Sequence, residues 1–444
     1  MKFGHLMVAA CATLACVATP SSLPAQEAGI ITFSDAVRIA LERNTALRIA
    51  RNTTALDATA VSQQRAQLLP DFRLNTQGAQ SYGRSFSQSE GRIIDQATRS
   101  FTAGVSSGMT LFNGFGNVAA VREARLSLEA SELDLGRARQ TAVFTVAANF
   151  LGVVQQQEQL RVRRENLAAE EALERQIREY VDAGVRPIAD LYQQQAGVAS
   201  ARLAVVEASR AAELAKVEVM QTLQLDPRGD YVFVAPELEA ELPVQRQYDL
   251  DSLVGRALAQ RADLDAVETR VLAADQGLRV AQAANWPSIS LNAGYNTAYT
   301  SAADLRFVDQ LDQRRGGSIG IGVSLPILDR GSTRTATERA RISADNARIA
   351  LESRQNEVGL QVRRAYLDFQ AAQEQLRAAE AQLRAAELAQ QSSQERYDVG
   401  AATLVELTQT RALAVQAASA IVSARYNLLF QQTLIDYHVG TLRW

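Results

Sequence analysis

The stretches PSISLNAGYNTAYT at residues 287–300 and SIGIGVSLPI at residues 318–327 decide the fold. In both, apolar residues alternate one by one with small polar ones, which is the period of a β-strand with one apolar and one polar face. Each stretch is about as long as the roughly ten residues with which a tilted strand crosses a bilayer. The pattern predicts two membrane-spanning strands, although an antiparallel sheet packed on a soluble core would give the same alternation.

These strands belong to a unit that occurs twice in the chain. An offset of 217 residues places Pro70 on Pro287, and beyond the next loop an offset of 216 residues places Gly184 on Gly400. The first copy shows the same alternation more weakly. Both prolines are expected to lie at helix–strand junctions, because the residue before a proline is disfavoured in the helical region. We therefore expect two internal structural repeats.

The duplication sets the expected domain boundaries. A first repeat is expected at residues 26–225 and a second at residues 249–444, each with a helix, two strands, a long helix and a returning helix. The stretch between them, 226–248, contains three prolines and is expected to be an irregular linker. Within this linker, residues 231–234 could form one edge strand.

The first helix of each repeat is expected to begin at a short polar capping residue, Ser34 or Asp251. Its helical pattern continues without a break to Leu69 in the first repeat and to Ala284 in the second. The sequence therefore predicts a single helix before each strand pair.

Two much longer helices are expected, at 117–182 and 332–398, because neither range contains a proline and Ala, Leu, Glu, Gln and Arg dominate both. Apolar residues within them recur every three or four positions, as in coiled coils. A helix of this length extends about 100 Å. Each is followed by a glycine-containing turn and a returning helix, which predicts two long helical hairpins.

Residues 1–25 are expected to be a cleaved signal peptide, because Lys2 precedes a short apolar run and a small-residue site at Ala25. Both cysteines, Cys11 and Cys16, fall within this segment. Cleavage would leave no thiol for a disulfide or for catalysis. The alternative is that Cys16 carries a lipid and anchors the N-terminus.

Charge and composition argue against several function classes. The formal net charge is −3, and the arginines alternate with Asp and Glu along the helical stretches, which indicates solvated helix faces rather than a nucleic-acid interface. His438 is the one histidine beyond the signal segment, and no metal-ligand motif is present. We expect no enzymatic activity and no cofactor.

Four strands cannot close a membrane barrel, since the smallest such barrels have eight strands. An open sheet edge in lipid would leave backbone groups unpaired. The barrel is therefore expected to be shared between chains, with eight strands from two chains or twelve from three. Eight strands would be filled by side chains, whereas twelve leave a lumen.

The hairpin turns carry a family resemblance. The segments concerned are Tyr397–Gly400, Glu406–Leu407 and Ala424–Leu428, with Gly184 and Asp190–Leu191 in the first copy. With these segments the chain resembles the outer membrane efflux protein family, the TolC-like channels. The overall expectation is an α+β fold, predominantly α: a trimeric 12-stranded transmembrane β-barrel, with four strands per chain, continued by a long coiled-coil α-helical barrel.

The resemblance also implies a function. It implies a homotrimer in the outer membrane, in contact with its lipid, with the helical barrel in the periplasm. It implies the exit duct of a tripartite efflux pump or type I secretion system, a passive conduit gated at its periplasmic end. Its partners would be a periplasmic adaptor protein and an inner-membrane pump of the RND or ABC type. A periplasmic coiled-coil adaptor or scaffold without a pore is the alternative.

The resemblance assigns roles to residues near the hairpin turns. The implied entrance residues are Asp190, Tyr397, Glu406 and Gln409, and the implied adaptor contacts are Gly184, Val185, Arg186, Gly400, Ala401 and Ala402. Gln409 stands where TolC has a second acid, and Ala402 stands where it has a gating arginine. Three copies of Glu406 around an axis would favour cations. Alternatively, Asp190 and Glu406 only complement helix N-termini.

Overall fold

The computed structural model describes residues 29–87, 91–95, 97–234 and 246–442. The predicted signal peptide and Cys16 lie outside these residues. The strands within them are β1 (Gly29–Thr32), β2 (Arg73–Ser81), β3 (Arg84–Ser87), β4 (Arg92–Asp95), β5 (Thr98–Asn113), β6 (Tyr231–Val234), β7 (Ser288–Thr300) and β8 (Gly316–Ser324). The helices are α1 (Phe33–Arg43), α2 (Thr45–Ala66), α3 (Gly116–Asp182), α4 (Ile188–Leu223), α5 (Leu250–Gln260), α6 (Ala262–Ala283), α7 (Phe307–Gln313), α8 (Ser332–Asp398) and α9 (Leu404–Val439).

The four predicted spanning strands form one antiparallel sheet in the order β2-β5-β7-β8. Strand pairing places like residues on the same face: Leu291 lies opposite Met109 on one side and Ile321 on the other, and all three belong to the apolar face. The opposite face holds Ser, Gly and Asn, as in the pairing of Asn292 with Gly108. One face is therefore suited to lipid and the other to water.

Aromatic residues lie at both ends of this sheet. Phe72, Phe115 and Trp286 are largely exposed at the end where the helices begin, and Tyr82 and Tyr299 lie at the opposite end. Tyrosine and tryptophan rings favour the two membrane–water interfaces, because one part of each ring is apolar and another part is polar. Their positions match the edges of a membrane-spanning sheet.

The helix–strand junctions are tightly packed. Pro70 lies between the end of α2 and the start of β2, and Pro287 directly precedes β7. Gly114, which follows β5, has a φ of +64°, and a Cβ atom there would lie 2.6 Å from the carbonyl oxygen of Ala283. Only glycine tolerates both the positive φ and the lack of space for a side chain. Gly114 therefore allows the backbone to pass directly from strand to helix beside Trp286.

The prediction of one helix before each strand pair is wrong, because both helices are broken. At Asn44 the backbone leaves the helical region, and the side-chain oxygen accepts the N–H of Leu47, which caps α2. Arg261 makes the second break. The predicted N-caps of these helices also lie two residues too far along the chain. Thr32 and Asp249, rather than Ser34 and Asp251, cap α1 and α5.

The break at Arg261 forms a buried charge cluster. The Arg261 side chain is 1% exposed and binds both carboxylate oxygens of Asp263, at 2.9 and 2.6 Å. Arg354 of α8 binds the same carboxylate at 2.6 Å, and Arg137 of α3 lies 3.9 Å from it. Burial alone would raise the pKa of Asp263, but these guanidinium groups, above all Arg261, hold it well below its usual range. The cluster joins α3, α6 and α8.

His438, near the end of α9, lies beside this cluster. Burial, and then the positive charges of Arg261 and Arg137, lower the pKa of His438 to about 4, while Asp263 opposes the shift. Its Nδ1 atom is buried and has no hydrogen-bond partner among the described residues. The imidazole is therefore neutral at physiological pH.

Several short elements were not predicted. The expected strand at 231–234 is present as β6, but its parallel partner β1 was not expected. The polar loops hold the small hairpin β3–β4 in the first copy and the seven-residue helix α7 in the second. Each of these elements depends on contacts between residues that local periodicity does not reveal.

The two predicted long hairpins are present and have the same dimensions. Helices α3 and α8 contain 67 residues each, and α4 and α9 contain 36 each. Apolar residues at three- and four-residue spacing form their seams, and Val153, Phe369, Ala372, Ala379 and Ala386 are buried there. Alanine in the seam allows close approach of the helices.

Among the described helices, α9 is long and apolar enough to cross a membrane by length and composition. Its sequence contains no run of eighteen apolar residues, so a membrane-spanning helix was not expected there. In the structure α9 packs along α8 and also touches α3. Core helices of bundles pass the same compositional test, so the packing assigns α9 to the helical bundle.

Candidate functional site at the hairpin tips

Both hairpin turns have the same backbone structure. Gly184 and Gly400 adopt left-handed conformations, with φ of +71° and +78°. The residue after each glycine, Val185 or Ala401, donates its N–H to the carbonyl five residues back, at 2.8 and 2.7 Å. This is the Schellman arrangement that ends helices at glycine. The returning helices begin just after Pro187 and Thr403.

Tyr397 joins the two hairpins. Its side chain comes from the end of α8, is 1% exposed, and packs with Leu173, Ile177 and Leu191 of the first hairpin. The Cζ atom of Arg186 lies 4.5 Å from the centroid of the Tyr397 ring. The same guanidinium donates through Nη2 to the Tyr397 carbonyl oxygen at 3.3 Å. One arginine of the first tip therefore binds both the ring and the backbone of the second.

The hydroxyl group of Tyr397 makes no bond across this interface. It is buried and has no hydrogen-bond partner among the described residues. Burial raises the pKa of Tyr397, the charge of Arg186 lowers it, and the nearby carboxylate of Asp190 raises it. The phenol is therefore neutral, and its ring rather than its hydroxyl makes the contact.

Asp190 lies close to Tyr397 but does not bind it. It occupies the first turn of α4, where a negative charge complements the positive helix N-terminus. The structure shows no side-chain hydrogen bond or ion pair for Asp190 with the described residues. The carboxylate of Asp190 is near enough to act on the Tyr397 phenol electrostatically, but the two side chains form no direct bond.

Glu406 forms its contacts within its own hairpin. Its N–H donates to the hydroxyl of Thr403 at 3.2 Å, as in a capping box. Its carboxylate forms an ion pair with Arg396 near the end of α8, and Arg396 also donates to the carbonyl of Ala401 at 3.2 Å. The negative charge of Glu406 is thus compensated within the chain, which weakens the expectation of a strongly cation-selective ring.

The remaining predicted residues separate into buried and exposed positions. Ala402 is buried in the apolar cluster around Tyr397. Gln409 is exposed on α9, three residues beyond Glu406 and so on the same side of the helix. Val185 is also exposed.

The contact of Arg186 with Tyr397 was not predicted, because the family resemblance implied for Arg186 only a contact with the adaptor. Its contact with Tyr397 joins residues 211 positions apart, and no local pattern reveals such a pairing.

Below the tips, Gln194 of α4 is 1% exposed and donates to the Glu170 carboxylate at 2.5 Å and to its carbonyl at 3.0 Å. This pair joins α3 to α4.

Within the described ranges, no group of three or more His, Cys, Asp or Glu side chains is placed to hold a metal ion. The tips instead combine an apolar cluster with arginine contacts. Such an arrangement can hold the tips of two hairpins together.

The family model for the outer membrane efflux protein matches residues 36–223 and 253–437, which together make up most of the sequence. The chain belongs to the outer membrane efflux protein family. It is an outer-membrane efflux channel with its helical barrel in the periplasm. The alternative of a pore-less periplasmic scaffold is therefore not supported.

Individual relatives of this efflux channel are distant. The pyoverdine export outer membrane protein OpmQ of Pseudomonas aeruginosa is 25% identical over 77% of this chain and 70% of its own. The outer membrane protein TolC of Vibrio cholerae is 23% identical over 86% of this chain and 84% of its own. The Campylobacter jejuni CmeC outer membrane channel superposes with a TM-score of 0.77 at 18% identity, covering 92% of this chain and 85% of that one. This last similarity shows a shared fold.

Proposed function

We propose that three copies of this efflux channel close a twelve-stranded barrel and form the exit duct of a tripartite efflux pump or type I secretion system. The observation that carries the trimer is the four-stranded sheet with β2 and β8 at its edges. Successive strands alternate in direction, so β8 of one chain can pair with β2 of the next in the same antiparallel manner. Three chains give a lumen lined by Ser, Gly and Asn.

The equal lengths of the two hairpins support two structural repeats, at residues 26–225 and 249–444, separated by the segment 226–248. In a trimer, six hairpins would surround one axis and continue the barrel as a helical tube. Such a conduit is passive and requires no catalytic group.

We place the gate at the Arg186–Tyr397 contact. Widening the periplasmic end requires the second hairpin to move away from the first, and this contact joins their tips. Arg396 and Glu406 belong to the same hairpin, so their ion pair would move as a unit. Asp190 and Gln409 lie beside this boundary and would contribute to its charge and polarity.

The tips are also the proposed contacts for a periplasmic adaptor, through Gly184, Val185, Arg186, Gly400, Ala401 and Ala402. Val185 and the neighbouring Val399 are 69% and 79% exposed, which suits an apolar partner surface. Ala402 is buried and would contribute only by shaping the turn. The adaptor would connect the duct to an inner-membrane pump of the RND or ABC type.

Native mass spectrometry and planar-bilayer conductance of the purified protein test this proposal together. We expect a mass of three chains and a small conductance, as for a duct with a closed periplasmic end. A mass of one or two chains from membrane-inserted protein would contradict the shared barrel. Absence of conductance both in the wild type and in Arg186→Ala would contradict a gated duct.

A further inference from the structure

Helix α7 lies on the outside of the sheet. The hydroxyl of Thr297 donates to the carbonyl of Leu311 at 2.6 Å, and the ring of Phe307 lies 4.9 Å from that of Tyr299 and 5.7 Å from that of Phe101. Thr297, Tyr299 and Phe101 are on the apolar face of the sheet. The helix therefore covers the end of the apolar face farthest from the periplasmic helices.

Gln310 fixes α7 in this position. Its side chain is fully buried. Its Oε1 accepts the N–H of Thr300 at 3.0 Å, and its Nε2 donates to the carbonyls of Thr300 and Leu305 at 3.0 and 2.8 Å. A buried amide with several backbone partners holds the helix firmly against the end of β7.

The outer side of α7 is apolar in part. Val308 is 71% exposed, and Leu305 and Phe307 are 46% and 43% exposed. Two ion pairs lie beside them, Arg306 with Asp309 and Arg315 with Asp312, and Asp304 and Arg314 add one charge of each sign that is unpaired among the described residues. Apolar and aromatic side chains next to compensated charges are typical of the boundary between acyl chains and headgroups.

Arg99 lies just beyond this helix. On β5 it lies two residues before Phe101, toward the end of the sheet away from the helices, and so projects from the same outward face. Hydrogen bonds from the N–H of Arg99 to the Ser301 hydroxyl, and from the N–H of Ser301 to the Arg99 carbonyl, hold its backbone. Its guanidinium makes no hydrogen bond or ion pair with the described residues. Two residues of strand are about 7 Å, which places this cation above the aromatic level.

We propose that α7 and Arg99 form a contact site for a phosphate-bearing, anionic lipid of the outer leaflet, with Val308 and Phe307 against its acyl chains and Arg99 on its phosphate. The proposal rests on the proposed barrel. It commits to lipid because the exposed side of α7 is continuous with the lipid-facing side of the sheet. Arginine suits this position, since its stem can lie along apolar surface while its head reaches polar groups.

Site-directed spin labelling tests the helix. Single cysteines would replace Val308, Ile321 on the apolar face and Asn292 on the polar face, in protein that lacks residues 1–25 and thus both native cysteines. Molecular oxygen concentrates in lipid, whereas a polar nickel complex stays in water. The accessibility of each spin label to these two reagents therefore distinguishes a lipid-exposed position from a water-exposed one. We expect Val308→Cys to match Ile321→Cys rather than Asn292→Cys.

The control positions separate the two proposals. If position 321 is lipid-exposed while position 308 behaves like position 292, the lipid contact of α7 is disproved and the barrel stands. If position 321 itself behaves as water-exposed, the barrel proposal fails first.

Lipid retention tests Arg99. Native mass spectrometry would compare the phosphatidylglycerol and phosphatidylcholine that remain bound to the wild type, to Arg99→Gln, and to Arg306→Gln as a matched change at a paired arginine. We expect Arg99→Gln to lower the preference for phosphatidylglycerol about fivefold and Arg306→Gln to change it little. Equal preference in the wild type and Arg99→Gln would overturn the headgroup assignment.

Discussion

The guanidinium of Arg186 lies over the ring of Tyr397, with 4.5 Å between its Cζ atom and the ring centroid, and binds the carbonyl of the same residue at 3.3 Å. In this efflux channel the tips of the two hairpins are therefore held together by a cation–π contact and a backbone hydrogen bond.

Replacing Arg186 with alanine should open the channel. A cation–π contact of this kind contributes about 1 kcal/mol. If three chains open together, the open population should increase by about 100-fold, which single-channel recording in planar bilayers would show. Arg178→Ala, which removes an exposed ion pair with Glu174, is the control and should leave conductance unchanged. An unchanged conductance in trimeric Arg186→Ala would rule out this contact as the gate.

Removing only the hydroxyl of Tyr397 should have little effect, because that hydroxyl has no hydrogen-bond partner among the described residues. Tyr397→Phe keeps the ring under Arg186 and should conduct like the wild type, whereas Tyr397→Leu should conduct more. A large increase in Tyr397→Phe would instead show that the hydroxyl bonds to Asp190 in the assembled channel. Bilayer recordings of both variants decide between these outcomes.

Ion selectivity should depend on Arg396 as much as on Glu406. The ion pair between them compensates the carboxylate, so Arg396→Ala should increase the preference for cations and Glu406→Gln should decrease it. Reversal potentials in a salt gradient measure this preference. If Arg396→Ala leaves the reversal potential unchanged, Glu406 does not face the conducting path.

The buried cluster at Asp263 should dominate the stability of the helical region. Asp263→Asn leaves Arg261, Arg354 and Arg137 without their shared counter-charge and should destabilise the fold by about 3–5 kcal/mol. The control is Asp275→Asn, which removes a more exposed ion pair with Arg348 and should cost about 1 kcal/mol or less. Thermal unfolding of the purified protein compares the two. Equal transition temperatures would contradict the central role of Asp263.

His438 should make stability depend on pH. Its pKa in the folded chain is about 4, below the ordinary value of about 6.5, so between these values the unfolded chain binds a proton that the folded chain does not. Stability should therefore fall as pH decreases from about 6.5 to 4. In His438→Gln the unfolding temperature should vary less over this range. An equal pH dependence in both proteins would assign the effect to other groups.

The spanning strands and the long hairpins could be predicted from sequence because both depend on strong local periods. The alternation at Ile289, Leu291 and Tyr295 indicates a strand with two unlike faces, and the absence of proline between Ser332 and Asp398 permits a single long helix. The turns at Gly184 and Gly400 could also be predicted locally, because glycine readily adopts the left-handed backbone conformation that ends a helix.

The remaining features depend on partners far away in sequence. The break at Arg261 leaves its guanidinium bound to Asp263 and Gln361, and helical periodicity contains no sign of it. Asn44 did carry a usable signal, because asparagine is a preferred capping residue. The contact of Arg186 with Tyr397 and the packing of α7 on Tyr299 required the folded chain.

The open edges of β2 and β8 have a genetic consequence. Each proposed barrel closes only if every chain supplies both edge strands, β2 and β8. A chain with one defective edge strand can still join a trimer through the other and prevent its barrel from closing. In a cell that makes equal amounts of normal and edge-defective chains, random assembly leaves only about one trimer in eight intact. Edge mutations should therefore be dominant, whereas mutations that prevent a chain from joining any trimer should be recessive.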